Sequence, residues 1–397
     1  MDSTRDARGR DEIKFGDAEA LDGLLESVES ILGTTPGRAA DLGEFLALLD
    51  VDDLVAVLRS FYRKPWKSPF PLDALARLLV WIGVKRHRFL TEAVREFECR
   101  PDLAENLGFD RAGLPQYKTL WELVHYRLGA PGLDAIARAA LRAVVREGRA
   151  RGLLVGAASL HDSTFLKGSP KDDEAAYSGY HEGWGYKWHN TRCSETGLPV
   201  AWSVTPANEH DQPHLAPNLE RAHEDGVRFA RVIADGAYDA KENFALVAVD
   251  YGAEFLTDIR DNAVDDRMWT AKRLRAYYHK HWRQPWYEPG ARFRRMLHLL
   301  VEQKGAFAQV GGYLRTIAMR RRERDAARIA KQYHVRSRIE GNHGLEKRHG
   351  EVRWAESKGL SKRKVQVCLV VLGEVSLALT RLQHGFTHGL DRFVHLV

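Results

Sequence analysis

Three carboxylates stand out by type and placement: Asp162 in "HDST", Asp235 in "IADGAYD" and Glu340 in "YHVRSRIEGNHGLEKRHG". Asp162 and Asp235 each fall at or near the end of a hydrophobic run that reads as a strand, where a side chain can leave the core and face a crevice. Glu340 falls on a predicted helix. The three lie far apart in the chain, so only a fold could gather them. Two strand aspartates and a helical glutamate would form a hard-oxygen site suited to Mg²⁺, with Mn²⁺ as a substitute. A pair of such ions can activate an attacking hydroxyl and stabilise a leaving oxygen in phosphodiester chemistry. Each aspartate taken singly also reads as a turn residue, Asp235 as part of an Asp-Gly turn.

The spacing around Glu340 adds weight. Tyr333, Arg336, Glu340 and Lys347 fall within about 60° of one another at 100° per helical residue. A hydroxyl, a guanidinium, a carboxylate and an ammonium would share one stripe. The alternative is an Arg336–Glu340 pair one helical turn apart, worth about 0.2–0.5 kcal/mol. Gly341 and Gly344 each weaken a helix there by about 1 kcal/mol. Residues 315–348 hold eleven basic and four acidic side chains. That excess implies salt-sensitive phosphate binding without base information.

Charge is uneven over the 397 residues: the net is +6, yet residues 1–53 hold 14 acidic and 5 basic side chains. The pattern predicts an acidic helical cap on a basic body with a polyanionic partner. Hydrophobic residues make up 44%, enough for a sizeable core. No uninterrupted apolar run approaches the roughly 20 residues of a membrane span. The start, "MDSTRDARGRDEIKFGD", lacks an apolar signal core, which predicts a cytoplasmic protein. Cys99, Cys193 and Cys368 form no CxxC pair and read as small buried hydrophobes, and the histidines at 334–349 lack zinc-hydrolase spacing.

The elements that must position these residues follow from periodicity. "DLGEFLALLDVDDLVAVLRSFY" and "PLDALARLLVWIGVKRHRFLTEAVREF" repeat apolar residues at helical spacing, and two further helices flank "GAPG". From residue 151 the texture changes: a strand ending in Asp162, a hairpin around "SETG", a helix, a strand ending at Asp235, a helix, and the strand "AEFLTDI". The order β-β-β-α-β-α-β predicts an α/β mixed sheet with helices packed on it. The expected division is an acidic helical segment at 1–54, a helical domain at 55–148 for end binding or dimerisation, and a core at 151–259. A basic, aromatic insertion at 260–312, the rest of the core at 313–385 and a tail at 386–397 complete it. Lys187 and His189 share a strand face and could reach a phosphate. Asp211 is a candidate helix N-cap.

Tyr333-x2-Arg336-x3-Glu340-x6-Lys347 matches the signature of bacterial insertion-sequence DDE transposases, and the other pieces keep the family's order. "HDSTF" resembles its first-aspartate strand, "YKWHNTRCSETGLPVAWSVTPANEHD" its hairpin, and "IADGAYD" its second-aspartate segment. The likeness runs from about 150 to 385, and more weakly from 60 to 145. It implies a ribonuclease H-like core with an insertion before the glutamate helix. It further implies a metal-binding catalytic triad of Asp162, Asp235 and Glu340, holding two Mg²⁺ ions. Tyr333, Arg336 and Lys347 would then contact DNA at the transposon end. "GNHGLEKRHGEVRW" departs from the family where many relatives carry bulky aromatics. Trp286, with Trp282, Arg283 and Tyr287 in the insertion, could stack on a displaced base. The expected partners are inverted-repeat ends, target DNA and a second copy of the chain. The rival readings are a ribonuclease H-like nuclease without transposition and an inactive, DNA-binding relative.

Overall fold

The computed structural model describes residues 42–85, 90–110, 113–258, 271–282, 285, 291–337, 339 and 358–390. Glu340, Lys347 and Trp286 lie outside the described residues, as do Arg283, Tyr287 and most of the acidic segment 1–54.

The N-terminal part is helical: α1 (Leu42–Ala47), α2 (Asp52–Ser60), α3 (Leu72–Lys85), α4 (Leu90–Cys99), α5 (Pro101–Leu107) and α6 (Tyr117–Trp121). Each long apolar periodicity in the sequence becomes two helices here. α6 runs into a π-helical stretch, Glu122–Leu128, and "GAPG" opens α7 (Gly129–Ala150) instead of separating two helices. α7 buries Leu133, Ile136, Ala137, Ala140, Leu141 and Val144, a stripe at three- and four-residue spacing.

The sheet combines β1 (Ala158–Lys167), β2 (Ala176–Ser178), β3 (Gly183–Cys193), β4 (Pro199–Pro206), β5 (Arg231–Ala234) and β6 (Glu254–Thr257) in the order β2-β3-β1-β5-β6, with β4 also on β3. β3 is antiparallel to β1, β2 and β4, whereas β1, β5 and β6 are parallel. The crossovers are α8 (Leu215–Glu224) and α9 (Lys241–Val249). β2 is an extra strand beyond the expected order, too short to show a period. Asp162 sits in the middle of β1, because the strand continues to Lys167 and pairs with β3 along its length.

Between β6 and the signature the described residues form the helices α10 (Ala271–His281), α11 (Ala291–Lys304), α12 (Phe307–Arg324) and α13 (Ala326–His334). Leu274, Tyr278, Met296, Leu297, Leu300 and Val310 form a small core of their own, which reaches Ala245 on α9. Trp282 stacks on Tyr278 at 5.2 Å within it.

α14 (Leu360–Gln383) packs back on the body as the sequence predicts, against α7, α3 and β4. It is long and apolar enough to cross a membrane, yet 94% of its most apolar window is buried in the protein. Gly83 and Gly373 let α3 and α14 touch: a Cβ on Gly373 would lie 2.6 Å from the Gly83 carbonyl carbon. The N-terminal helices, the sheet and α14 thus share one apolar core. Cys193 and Cys368 are buried as expected, but Cys99, at the end of α4, is exposed.

Candidate active site

Alternation along a strand sends Leu160 and Asp162 to one face of the sheet. In the parallel register Leu160 stands beside Ile233, and His161 beside Ala234, so Asp235 emerges next to Asp162. The same face is covered by the segment that carries the signature. Ile339 is fully buried against Leu160, Ile233 and Leu256, with Ile329 and Tyr333 packed alongside. Apolar burial therefore brings the residue before Glu340 down beside the two aspartates.

Each aspartate is fixed by its own backbone. Asp162 Oδ1 accepts from the Ser163 amide at 2.9 Å, and Asp235 Oδ1 accepts from the Ala237 amide at 2.9 Å. The second bond makes Asp235 the N-cap of a short turn, Gly236–Tyr238, so the Asp-Gly turn reading holds and coexists with a site. Both Oδ2 atoms then face Arg336, whose Nη2 lies 3.6 Å from Asp162 and 3.9 Å from Asp235. The carboxylates are partly exposed, Asp162 at 13% and Asp235 at 31%.

The signature is not one continuous helix. α13 ends at His334, and Val335 and Arg336 form a turn closed by Arg336 N to Tyr333 O (2.9 Å) and Ile339 N to Arg336 O (3.0 Å). The tighter turn still keeps Arg336 beside the Tyr333 ring, 6.0 Å from its centroid. The Tyr333 phenol is pushed up by burial, against an opposing effect of Arg336, so it stays protonated.

Lys187 and His189 occupy the opposite face, since His189 pairs with Ser163 and Lys187 with Phe165 in the β1–β3 register. Lys187 Nζ binds Asp211 Oδ1 at 3.0 Å and the Glu209 carbonyl at 2.8 Å. Asp211 does stand at the N-cap of the short turn before α8, but its side chain makes no capping bond there; the Lys187 pairing takes it instead. His189 is buried and stacks on His214 at 4.1 Å. Thr205 Oγ1 donates to the Pro206 carbonyl, so it accepts from His189 Nε2, at 2.9 Å. Burial first, and the His214 charge second, lower the His189 pKa, which leaves the ring neutral.

Two residues near the aspartates escaped sequence reasoning. Tyr238 is buried against His161, with ring centroids 4.8 Å apart. Its phenol is pushed well up by burial and then by the negative charges of Asp211, Asp162 and Asp235. Its place three residues after Asp235 was the available signal. Asn190 is directly opposite Asp162 and fully buried, and its side-chain amide has no hydrogen-bond partner among the described residues. Nothing short of the strand register identifies it.

The paired oxygens fit a divalent cation in kind. They are hard carboxylate donors that converge on one point of positive charge, filled here by the Arg336 guanidinium. Among the described residues no group of three or more His, Cys, Asp or Glu could hold a metal ion. Glu340, the third carboxylate that the sequence offers, lies outside the described residues.

Comparison with protein families gives a match between residues 156–372 and a family described as Transposase DDE domain. The matched span begins just before β1 and ends inside α14. Comparison with curated proteins and with solved structures gives no match.

Proposed function

The chain belongs to the DDE transposase family, and from that premise we propose that it is the transposase of a bacterial insertion sequence, with Asp162, Asp235 and Glu340 as its catalytic carboxylates. Membership supports an enzyme that acts on DNA by a metal-dependent route. The observation that carries the finer reading is the convergence of Asp162 and Asp235 on Arg336, beneath the turn that leads to Glu340.

Mg²⁺ held by these carboxylates would polarise the attacking and leaving oxygens of a phosphodiester. The chain's own residues do the rest. The Ser163 and Ala237 amides hold the carboxylates in fixed rotamers, so their Oδ2 atoms need little reorganisation when DNA binds. Arg336, neutralising the carboxylates in this structure, can turn its fork to a non-bridging phosphate oxygen once they are otherwise engaged. Tyr333, kept as a phenol, donates a hydrogen bond to the same phosphate. Lys347 contacts the flanking backbone.

In the first reaction a water oxygen bonds to phosphorus and the 3′-oxygen leaves, taking a proton to become a free 3′-hydroxyl. In the second, that hydroxyl attacks a target phosphodiester, forms a new bond to phosphorus and releases the target's 3′-hydroxyl. Two ends must be handled together, which calls for a homodimer on DNA, working in the bacterial cytoplasm at the nucleoid.

The test is cleavage and joining of the element's own inverted-repeat ends with purified full-length protein. Asp162→Ala, Asp235→Ala and Glu340→Ala should each abolish Mg²⁺-dependent cleavage while DNA binding persists. Full activity in any one of them removes that residue from the triad. Cleavage without joining would mean a nuclease, and binding without cleavage by the wild type an inactive relative.

A further inference from the structure

Beyond Asp162, β1 continues to Lys167, and the chain returns through β2 to form a hairpin with the start of β3. Tyr177 and Trp184 are direct cross-strand partners in that hairpin, with ring centroids 5.9 Å apart. Both are exposed, at 50% and 40%, and Tyr180 at the tip is 91% exposed. His181 stacks on Phe165 of β1 at 4.6 Å, and Tyr180 meets His181 edge-on at 4.8 Å. Four rings thus stand on one small finger, with Tyr177 and Trp184 on one face and His181 against Phe165 of β1 on the other.

The finger is built to hold its shape. Ser178 Oγ accepts from the His181 amide at 3.3 Å. Glu182 has φ +49°, and among the described residues it is the one non-glycine with positive φ. Such strain persists where the surroundings over-determine it, and it concentrates at functional positions. At the finger's base, a Cβ on Gly185 would meet the Leu166 carbonyl oxygen at 2.2 Å, so glycine lets β3 press onto β1. Asp172 accepts from the Gly359 amide and Glu174 from the Leu360 amide, which ties the preceding loop to the start of α14.

We propose that this hairpin is a stacking platform for unpaired DNA bases, rested on the transposase reading above. Three observations select that occupant. First, residues 167–184 hold Lys167 and Lys171 against Asp172, Asp173, Glu174 and Glu182, so the finger cannot hold a phosphate backbone by charge. What it offers is rings, and stacking on them tolerates any base. Second, alternation along β3 puts Trp184 on the face that Asn190 shares with Asp162. Third, exposed Lys358 and Lys362 stand at the adjoining start of α14, where a backbone could run. Trp184 lies just past Gly185, the partner of Lys167, hence about 17–20 Å along the strand from Asp162 at roughly 3.4 Å per residue. That is the length of about five or six base steps at ~3.4 Å each. The platform therefore serves bases several steps from the cleaved phosphate.

The experiment measures anisotropy of a labelled 20-nucleotide oligo(dT) and of a 20-base-pair duplex with the full-length protein, over a range of salt. Tyr177→Ala combined with Trp184→Ala should weaken oligo(dT) binding about tenfold or more. Duplex affinity should change by less than about twofold, and the salt slope for oligo(dT) should stay the same. Tyr177→Phe with Trp184→Phe should bind oligo(dT) like the wild type, which separates stacking from misfolding. Unchanged oligo(dT) affinity in the alanine variant, or an equal loss for both DNAs, overturns the platform. So does unchanged DNA binding with a loss of dimer in sedimentation, which would assign the finger to a second copy of the chain. Any of these leaves the Asp162→Ala cleavage result standing. A wild type that binds neither DNA would instead remove the transposase reading beneath it.

Discussion

Two meetings of arginine with carboxylate, on the same side of the sheet, have opposite character. Arg192 on β3 and Glu374 on α14 meet at 2.8 Å with both side chains almost fully buried, at 3% and 2%, and Arg192 also donates to the Gly197 carbonyl at 2.6 Å. Arg336 stands 3.6 and 3.9 Å from two carboxylates that keep access to solvent. The first is closed: its charges are matched at hydrogen-bond distance and sealed between helix and sheet. The second is open: two carboxylates that reach solvent share one guanidinium, at 3.6 and 3.9 Å. A tight buried pair holds a structure together, whereas a loose one with excess like charge keeps room for a ligand.

The largest effect should separate the two by activity. Asp162→Asn or Asp235→Asn should lower Mg²⁺-dependent DNA cleavage by more than the roughly 10- to 100-fold typical of an outer-shell residue, with little change in Tm. A large loss of Tm in these variants would put the open pair in the same class as the closed one. Next, Glu374→Ala should destabilise the protein by about 3–5 kcal/mol in denaturant unfolding, because it strands a buried guanidinium. Cleavage per folded molecule should survive, and a selective loss of activity would erase the distinction.

A smaller effect sharpens the open pair. In Arg336→Ala the aspartates lose a neighbouring positive charge, so Mg²⁺ should raise Tm more than in the wild type, by on the order of 1 °C. An equal or smaller rise would show that Arg336 does not stand where a cation binds. The smallest effect concerns the far face. The folded pKa of His189 is depressed below its ordinary value of 6.5. Its contribution to stability is therefore present above pH 6.5 and is lost as the pH falls below it. His189→Gln should flatten the dependence of Tm on pH between about 4 and 6.5, and an unchanged slope would mean that the ring titrates normally.

The elements nearest the site were legible because their periods are short and local. Hydrophobic runs leading to "HDST" and through "FARVIADG" marked the strands that bear Asp162 and Asp235, and the hairpin from 183 to 206 followed from two apolar runs around "SETG". Other features escaped because nothing local encodes them. β2 has three residues, too few for a pattern. The break at Val335–Arg336 falls inside a sequence whose spacing fits an unbroken helix. The partners of Lys187 and Asp211 depend on which strand face meets α8, which a one-residue change of register would invert.

By itself, the sequence determined the order of the five longer strands, the helical covering, the two strand acids and the spacing of the signature from Tyr333 to Lys347. Those are consequences of side-chain type and short-range spacing. Tertiary structure alone decided that Asp162 and Asp235 would share a face with Arg336 between them, that Arg192 would find Glu374 at a separation of 182 residues, and that an aromatic hairpin would stand in line with the site. Strand pairing and apolar burial fix those distances, and both join residues far apart in the chain, where no local period records them.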